Sequence, residues 1–326
     1  MQTLKGVTAL VFVAAVAAAC SSGAATPSPV PSAAPTPVPT AAPTAAPTPA
    51  PTAAPTATPD ACAPGSLAVK TAGKLTIGTD NPAFPPYFDP AASGEPKTDP
   101  WELGDPTNGR GFESAVAYAV ADKLGFAKGD VTWVYVPFDS SYAPGPKAFD
   151  MDINQVSYTA DRAKTVDLSD GYYTVNQALV ANAGTPITKV TTISGLKDFK
   201  LGAQQGTTSY QFITDTIKPT TDASVYNDNT GAIAALDAKQ IDGIVVDLPT
   251  AFYITGSGEA KNGVIVGQFP APAGADAEHF SIVLEKGSAL TACVNQALAA
   301  LKTDGTLDSL TKVWLSDKAS APVLQP

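Results

Sequence analysis

The sequence has few of the residues from which metal sites and nucleophilic active sites are usually built. Its 326 residues include one histidine, His279, and three cysteines, and only two of its 20 basic residues are arginines. A single histidine excludes a metal centre with several histidine ligands, and the GxSxG, HExxH, CxxC and phosphate-loop patterns are all absent from the sequence. We therefore predict neither a metal site nor a cofactor.

Basic residues are outnumbered by acidic ones, 20 Lys and Arg against 30 Asp and Glu, which gives a net charge of −10. Proteins that bind nucleic acid neutralise its phosphates with basic patches, so this balance argues against a nucleic-acid partner. Residues 21–59 carry no charge. The acidic excess therefore belongs to the part of the chain after them.

The first 20 residues resemble a secretory signal peptide. Lys5 supplies the positive charge, residues 7–16 form an apolar stretch too short to span a bilayer, and Ala17-Ala18-Ala19-Cys20 ends it. Small residues before a cysteine resemble the lipobox of bacterial lipoproteins, which predicts lipidation of Cys20; an ordinary Ala-x-Ala cleavage site is the alternative. The sequence thus predicts an extracytoplasmic protein, lipid-anchored to the outer face of the cell membrane.

Residues 21–59 consist almost entirely of Ala, Pro, Thr and Ser and include no aromatic residue. Such a segment cannot bury a core, and its prolines favour an extended, polyproline-like chain. At about 3.1 Å per residue it would reach on the order of 100 Å. We interpret it as a disordered tether between the anchor and a binding domain.

The two remaining cysteines are Cys62 and Cys293. An oxidising compartment favours a disulfide between them, and with Cys20 assigned to the anchor this pairing accounts for all three thiols. Two unpaired buried thiols are the alternative.

After Thr71, short β-branched segments alternate with amphipathic ones, a pattern typical of parallel sheets with helices on both faces. The predicted strands are 74–79, 131–138, 150–156, 200–203, 223–226, 242–246 and 280–284, and the predicted helices are 114–124, 208–217, 230–238 and 290–315. Their lengths fit a first lobe of residues 60–182 and 276–326 and a second lobe of residues 183–275. A lobe interrupted in sequence requires two strands that cross between the lobes, which is hinge architecture.

Five stretches carry a specific resemblance: GTDNPAFPPY (78–87), GFESAVAYAVADKLG (111–125), DINQVSYTADRAKTVDLSDGYY (152–173), LGAQQGTTSY (201–210) and AALDAKQIDGIVVDLPTAFY (234–253). In this order and spacing they resemble the motif set of family 3 solute-binding proteins. The resemblance implies an α/β, periplasmic-binding-protein-like fold of type II, with two Rossmann-like lobes joined by a two-strand hinge. It also implies a monomer that binds a free amino acid, with a polar or cationic side chain favoured, and serves the permease of an ABC importer.

A zwitterionic amino acid needs a fork of donors for its carboxylate and a carboxylate for its ammonium group. Arg162, in YTADRAK at the start of a predicted helix, would supply the fork; a surface position is the alternative, and we favour that for Arg110. Asp247 follows the apolar strand Ile244-Val245-Val246, at the strand end where α/β proteins bind ligands, and would pair with the ammonium group. Capping of the next helix is a second role open to Asp247.

The resemblance gives Arg162 the same role and places other hydroxyl, amide, apolar and carboxylate side chains around the ligand: Ser157, Gln155, Thr207, Thr208, Phe84, Phe138 and Asp80. Thr207 and Thr208 precede a helix, where backbone and hydroxyl groups can donate to an anion. Asp80 favours a polar or cationic ligand side chain, because an apolar one would leave a desolvated carboxylate without a partner.

The sequence departs from the family pattern at three places. Glu113 stands where Asp is usual, Asn154-Gln155 replaces a pair of small residues, and residues 89–109 form an insertion that contains Trp101, Glu102 and Asp105. An insertion that reaches the cleft would change the identity of the ligand.

An enzyme on the same scaffold, similar to periplasmic cyclohexadienyl dehydratases, is the alternative function. Glu278 and His279 would be its acid/base pair. We favour a position beside the second hinge crossing for both, and hence a protein that is not an enzyme. A sensor subunit that signals to a membrane partner would use the same binding chemistry.

Overall fold

The structure is a computed structural model that describes residues 61–96, 98–271, 277–315 and 321–326. The described residues belong to one compact unit. The predicted signal peptide, Cys20 and the tether lie outside the described residues. Within the described part, two five-stranded sheets form the cores of two lobes, and a two-stranded sheet connects them.

The first lobe is built on a sheet with the strand order β2-β1-β3-β12-β4. Its strands are β1 (Leu75–Thr79), β2 (Val131–Tyr135), β3 (Met151–Asp152), β4 (Asp167–Leu168) and β12 (Val283–Leu284), and its helices are α1 (Phe112–Lys123), α2 (Phe138–Ser141), α3 (Arg162–Thr165), α7 (Leu290–Thr303) and α8 (Thr306–Trp314). β1 is parallel to β2 and β3, whereas β12 is antiparallel to β3 and β4. The sheet is therefore mixed, because β12 enters from the second lobe and runs against the strands that βαβ connections build.

The second lobe has the strand order β10-β6-β9-β7-β8. Its strands are β6 (Gln177–Asn182), β7 (Leu201–Gln204), β8 (Ser224–Tyr226), β9 (Gly243–Asp247) and β10 (Gly263–Gln268), and its helices are α4 (Thr208–Phe212), α5 (Asn229–Asp237) and α6 (Leu248–Gly256). β7 is parallel to β8 and β9, whereas β6 is antiparallel to β9 and β10. The carboxyl ends of β7 and β9 therefore lie at the same edge of the sheet.

The hinge consists of two crossing strands, as predicted: β5 (Tyr173–Thr174) pairs antiparallel with β11 (His279–Phe280). The predicted strand 280–284 is thus two short strands, one in the hinge and one in the first sheet. The predicted strand 131–138 also ends early, at Tyr135, because Pro137 follows and Phe138 begins α2. Proline lacks the N–H that a ladder position needs.

The predicted lobe boundaries need two corrections. β6 is a buried strand of the second sheet, so the second lobe begins before Gln177 and not at residue 183. The C-terminal residues 321–326 also lie on the second lobe: the N–H of Gln268 donates to the carbonyl of Pro322 at 2.7 Å, and that of Ile193 donates to the carbonyl of Gln325 at 2.7 Å. Both errors concern pairing between segments that are distant in sequence, which local patterns do not specify.

The predicted disulfide between Cys62 and Cys293 is confirmed, with a Cα–Cα distance of 5.2 Å. It ties the segment before β1 to α7 in the same lobe, where Cys293 lies in the hydrophobic core and the partly buried Cys62 packs against it. Among the described residues, no helix is both long enough and apolar enough to cross a membrane.

Candidate functional site

A narrow cavity of about 50 Å³ lies between the lobes. It is lined by both lobes, at the ends of strands and the starts of helices, and the lining residues include eight of the nine predicted ligand contacts: Asp80, Phe84, Phe138, Gln155, Arg162, Thr207, Thr208 and Asp247. The ninth, Ser157, does not line the cavity, but Thr208 Oγ1 lies 3.4 Å from its Oγ. The structure thus brings the predicted residues together from distant parts of the sequence.

Arg162 is the cation of this cavity, and its side chain is almost completely buried. Its Nη1 donates to the carbonyl of Ser157 at 2.6 Å and its Nη2 to the carbonyl of Gly206, in the other lobe, at 2.8 Å. Burial lowers the pKa of the Arg162 guanidinium, which nevertheless stays charged because arginine cannot be deprotonated in proteins. The helix start adds little, because α3 has four residues and the N–H of Arg162 already donates to Thr159 Oγ1.

Asp247 faces the same cavity from the end of β9. Its side chain does not cap α6, so the capping role is not realised; instead Oδ1 accepts from Gln177 Nε2 at 2.7 Å. Burial, with the neighbouring carboxylate of Glu278, raises the pKa of Asp247 to about 8. A cationic partner would relieve both effects, which suits the site to an ammonium group.

The second lobe also contributes the turn before α4. Thr207 is the N-cap of that helix: its Oγ1 accepts from the N–H of Tyr210 at 3.1 Å and donates to the carbonyl of Gln204 at 2.8 Å. Both functions of that hydroxyl are therefore used within the lobe. Thr208 keeps its hydroxyl at the interface between the lobes, near Ser157.

Asp80 gives the cavity a further negative charge. It follows β1, and its Oδ1 accepts from the N–H of Asn81 at 2.7 Å. Burial, with the nearby carboxylates of Asp228 and Asp139, raises the pKa of Asp80 to about 6 despite the opposing effect of hydrogen bonds from the backbone. Apart from Arg162, the described residues that line the cavity include no basic side chain, so this side of it favours a cation.

Several residues of the cavity were not predicted from the sequence. Asp228 and Asn154 both line it, and the Nδ2 of Asn154, a residue with 5 % exposure, has no hydrogen-bond partner among the described residues. Asn154 departs from the family pattern, and its position as a polar residue next to a strand end is the signal that indicates a place in the cavity. Asp228, the N-cap of α5, carried no such signal.

Gln155 and the insertion at residues 89–109 have roles other than direct contact with a ligand. Gln155 lines the cavity, but its side-chain Nε2 and its backbone N–H both donate to the buried carboxylate of Glu113. Burial raises the pKa of Glu113 to about 7. Glu113, whose side chain is longer than that of the Asp usual at this position, therefore anchors the loop after β3 through these two hydrogen bonds.

The insertion at 89–109 does not line the cavity in the described residues. Trp101 is buried in the first lobe's core, and the side chain of Asn81 holds the insertion: Nδ2 donates to the carbonyl of Pro100 at 2.9 Å, and Oδ1 accepts from the N–H of Glu102 at 3.0 Å. The insertion thus supports the loop that carries Asp80.

The acid/base pair of the alternative function does not line the cavity. Glu278 accepts from Ser157 Oγ at 2.7 Å and from Gln177 Nε2 at 3.3 Å. His279 lies in β11 and stacks on the ring of Tyr158, 5.5 Å away. Both are hinge residues, and no group of three or more His, Cys, Asp or Glu side chains in the described part of the chain could hold a metal ion.

Comparison with known proteins places this geometry among binding proteins. A model of the family described as "Bacterial extracellular solute-binding proteins, family 3" matches residues 92–317. The L-cystine-binding protein TcyJ of Escherichia coli (strain K12) is 28% identical over 252 residues, which cover 76% of this chain and 84% of TcyJ. The lysine/arginine/ornithine-binding periplasmic protein of the same strain is 31% identical over 194 residues, 56% of this chain and 71% of that protein.

Solved structures agree with this assignment. An ancestral arginine-binding protein bound to arginine superposes with a TM-score of 0.60 at 27% identity, over 75% of this chain and 99% of that one. The predicted type II fold is confirmed. The relatives are named as binding proteins, which also confirms the prediction of a binding protein and not an enzyme.

Proposed function

The chain belongs to the bacterial extracellular solute-binding proteins of family 3, and from this we propose that it captures a free amino acid with a polar or cationic side chain between its lobes. It is an extracytoplasmic amino-acid-binding component of an ABC importer, like its relatives.

One observation carries the proposal: the cavity joins a buried guanidinium of the first lobe, Arg162, to a partly buried carboxylate of the second, Asp247. A zwitterion would satisfy both, its carboxylate on Arg162 and its ammonium group on Asp247. Because each lobe holds one of the two charges, neither lobe alone binds the ligand well. Binding therefore favours the closed form, in which both contacts are made.

The remaining charges of the cavity select the ligand's side chain. Asp80 and Asp228 line it, and among the described lining residues Arg162 is the single basic one. An apolar ligand side chain would leave them desolvated and unpaired, whereas a polar or cationic one would donate to them. Known relatives that bind cystine or basic amino acids are consistent with this selectivity.

We also propose that Cys20 carries the lipid anchor, that residues 21–59 tether a monomeric binding domain to the membrane, and that the partner is the importer's permease. Membrane fractionation tests the anchor: Cys20→Ser should move the protein to the soluble fraction. The same distribution for both proteins would contradict the anchor.

A thermal-shift screen against the common amino acids, L-ornithine and L-cystine tests the ligand. A ligand present at a hundred times its Kd stabilises the folded protein by about 2.7 kcal/mol. We expect micromolar or tighter binding of a polar or basic amino acid, about −8 kcal/mol or more favourable. A clear preference for leucine or valine would contradict the role of Asp80.

Calorimetry then tests the carboxylate site. Arg162→Ala should cost about 3 kcal/mol or more, because it leaves the ligand carboxylate without its charged donors. Arg110→Ala is the matched control, since Arg110 pairs with Glu95 at 3.3 Å and does not line the cavity. Similar affinities for Arg162→Ala and the wild type would overturn the assignment.

A further inference from the structure

Tyr142 forms a hydrogen bond across the cleft to a residue of the second lobe that was not predicted to contact the ligand. It follows α2 in the first lobe, and its hydroxyl donates to the carbonyl of Gly206, in the second lobe, at 3.1 Å. Nη2 of Arg162 donates to the same carbonyl at 2.8 Å. One peptide group of the second lobe is therefore held by two side chains of the first.

The ring of Tyr142 also carries the Arg162 guanidinium. The guanidinium carbon lies 4.4 Å from the ring centroid of Tyr142 and 5.6 Å from that of Phe138. Thr165, in the same helix as Arg162, donates from Oγ1 to the carbonyl of Tyr142 at 2.9 Å. Stacking on an aromatic face fixes the plane of a guanidinium and leaves its edge free to donate. Tyr142 is thus joined to Arg162 through both its ring and its backbone.

Gly206 is the residue that allows this approach. Its φ is +70°, in the left-handed region, and a Cβ at this position would overlap the Tyr142 hydroxyl. Any other residue would be strained and would push the hydroxyl away from the carbonyl. The glycine of the turn before α4 is therefore needed for contact between the lobes as well as for the turn.

We infer that Tyr142 is both a latch and a positioning residue: its hydroxyl holds Gly206 of the second lobe against the first, while its ring orients Arg162 toward a ligand carboxylate. The orienting role rests on the proposed function, whereas the latch does not. The contact exists only when the lobes are together, so it favours the closed form. Loss of the hydroxyl should lower the ratio of closed to open molecules about threefold to tenfold, the effect of one neutral hydrogen bond.

The latch can be tested without any amino acid. Spin labels on cysteines introduced at Asp122 in α1 and Ala234 in α5, both exposed, report the distance between the lobes in the full chain with Cys20→Ser. Tyr142→Phe should shift the distances toward the open form. Tyr135→Phe is the matched control, because Tyr135 is 51 % exposed and should leave them unchanged. The same distances in Tyr142→Phe and wild type would overturn the latch.

A second pair of variants separates a latch from general loosening of the fold. Gly206→Ala should open the protein, because the added methyl group collides with the Tyr142 hydroxyl. Removal of that hydroxyl leaves the next ring atom 3.6 Å away. The double variant Gly206→Ala/Tyr142→Phe should therefore be less open than Gly206→Ala alone. A double variant that is more open than either single variant would contradict the inference.

Ligand kinetics complete the test, with L-arginine, L-lysine, L-glutamine and L-cystine as probes. For those that bind, Tyr142→Phe should raise the dissociation rate about threefold to tenfold and leave the association rate nearly unchanged, because the latch forms after the ligand enters. An unchanged dissociation rate would contradict the latch. If the wild type binds none of these probes and no polar or basic amino acid of the thermal-shift screen, the proposed ligand class is wrong, and the distance measurement still decides the latch.

Discussion

Replacement of Asp247 by asparagine tests the electrostatics of the cavity through the pH dependence of stability. Burial raises the pKa of Asp247 to about 8 in the folded protein, whereas an aspartate in an unfolded chain has a pKa of about 3.9. Between these values the folded protein holds a proton that the unfolded chain does not. The free energy of unfolding must therefore fall as pH rises through this window.

The size of the effect follows from the width of the window. A difference of one bound proton between the folded and unfolded protein changes the free energy of unfolding by about 1.4 kcal/mol per pH unit. Asp247 therefore lowers the free energy of unfolding by at most about 2.7 kcal/mol between pH 5 and pH 7. The pKa values of Asp80, raised to about 6, and of Glu113, raised to about 7, also lower the free energy of unfolding as pH rises, over narrower pH ranges. Asp247→Asn keeps the acceptor for Gln177 and removes the titration. Its stability should depend less steeply on pH.

Urea unfolding of the protein without added amino acid, at pH 5, 6 and 7, measures this slope. We expect Asp247→Asn to be more stable than the wild type at pH 7 and closer to it at pH 5. Asp122→Asn, which removes an exposed carboxylate of α1, should leave the slope unchanged. A slope for Asp247→Asn equal to that of the wild type would refute the assignment of the raised pKa to this residue.

Two further predictions concern the supports of the fold and of the site. Cys293→Ser opens a disulfide between residues 231 apart in sequence, which should lower the free energy of unfolding by up to about 5 kcal/mol by loop entropy; denaturation without reductant should show this loss, and a wild-type value would contradict it. Asn81→Ala removes both hydrogen bonds to the insertion, which should weaken amino-acid binding about fivefold to twentyfold in calorimetry by releasing the Asp80 loop; an unchanged affinity would mean that the insertion does not support the site.

The sequence by itself determined the features that depend on neighbouring residues. The strand that ends at Asp247, the Thr207 cap before α4 and the strand before Asp80 are set by apolar runs, cap residues and turn residues within a few positions of one another. The Cys62–Cys293 pair followed from the small number of cysteines. These local features predicted two α/β lobes and drew attention to Arg162 and Asp247, whereas the type II fold and most of the other residues around the cavity were implied by the resemblance to family 3 solute-binding proteins.

Only the tertiary structure decided how those pieces meet. It assigned β6 and the C-terminal residues 321–326 to the second lobe, turned Gln155 toward Glu113, and placed the insertion behind Asp80. Each of these outcomes depends on hydrogen bonds between residues that are far apart in sequence. The energy of such a bond depends on where the whole chain places both partners, so no local pattern contains it. The contact of Tyr142 with Gly206 has the same origin, because it exists only where the two lobes touch.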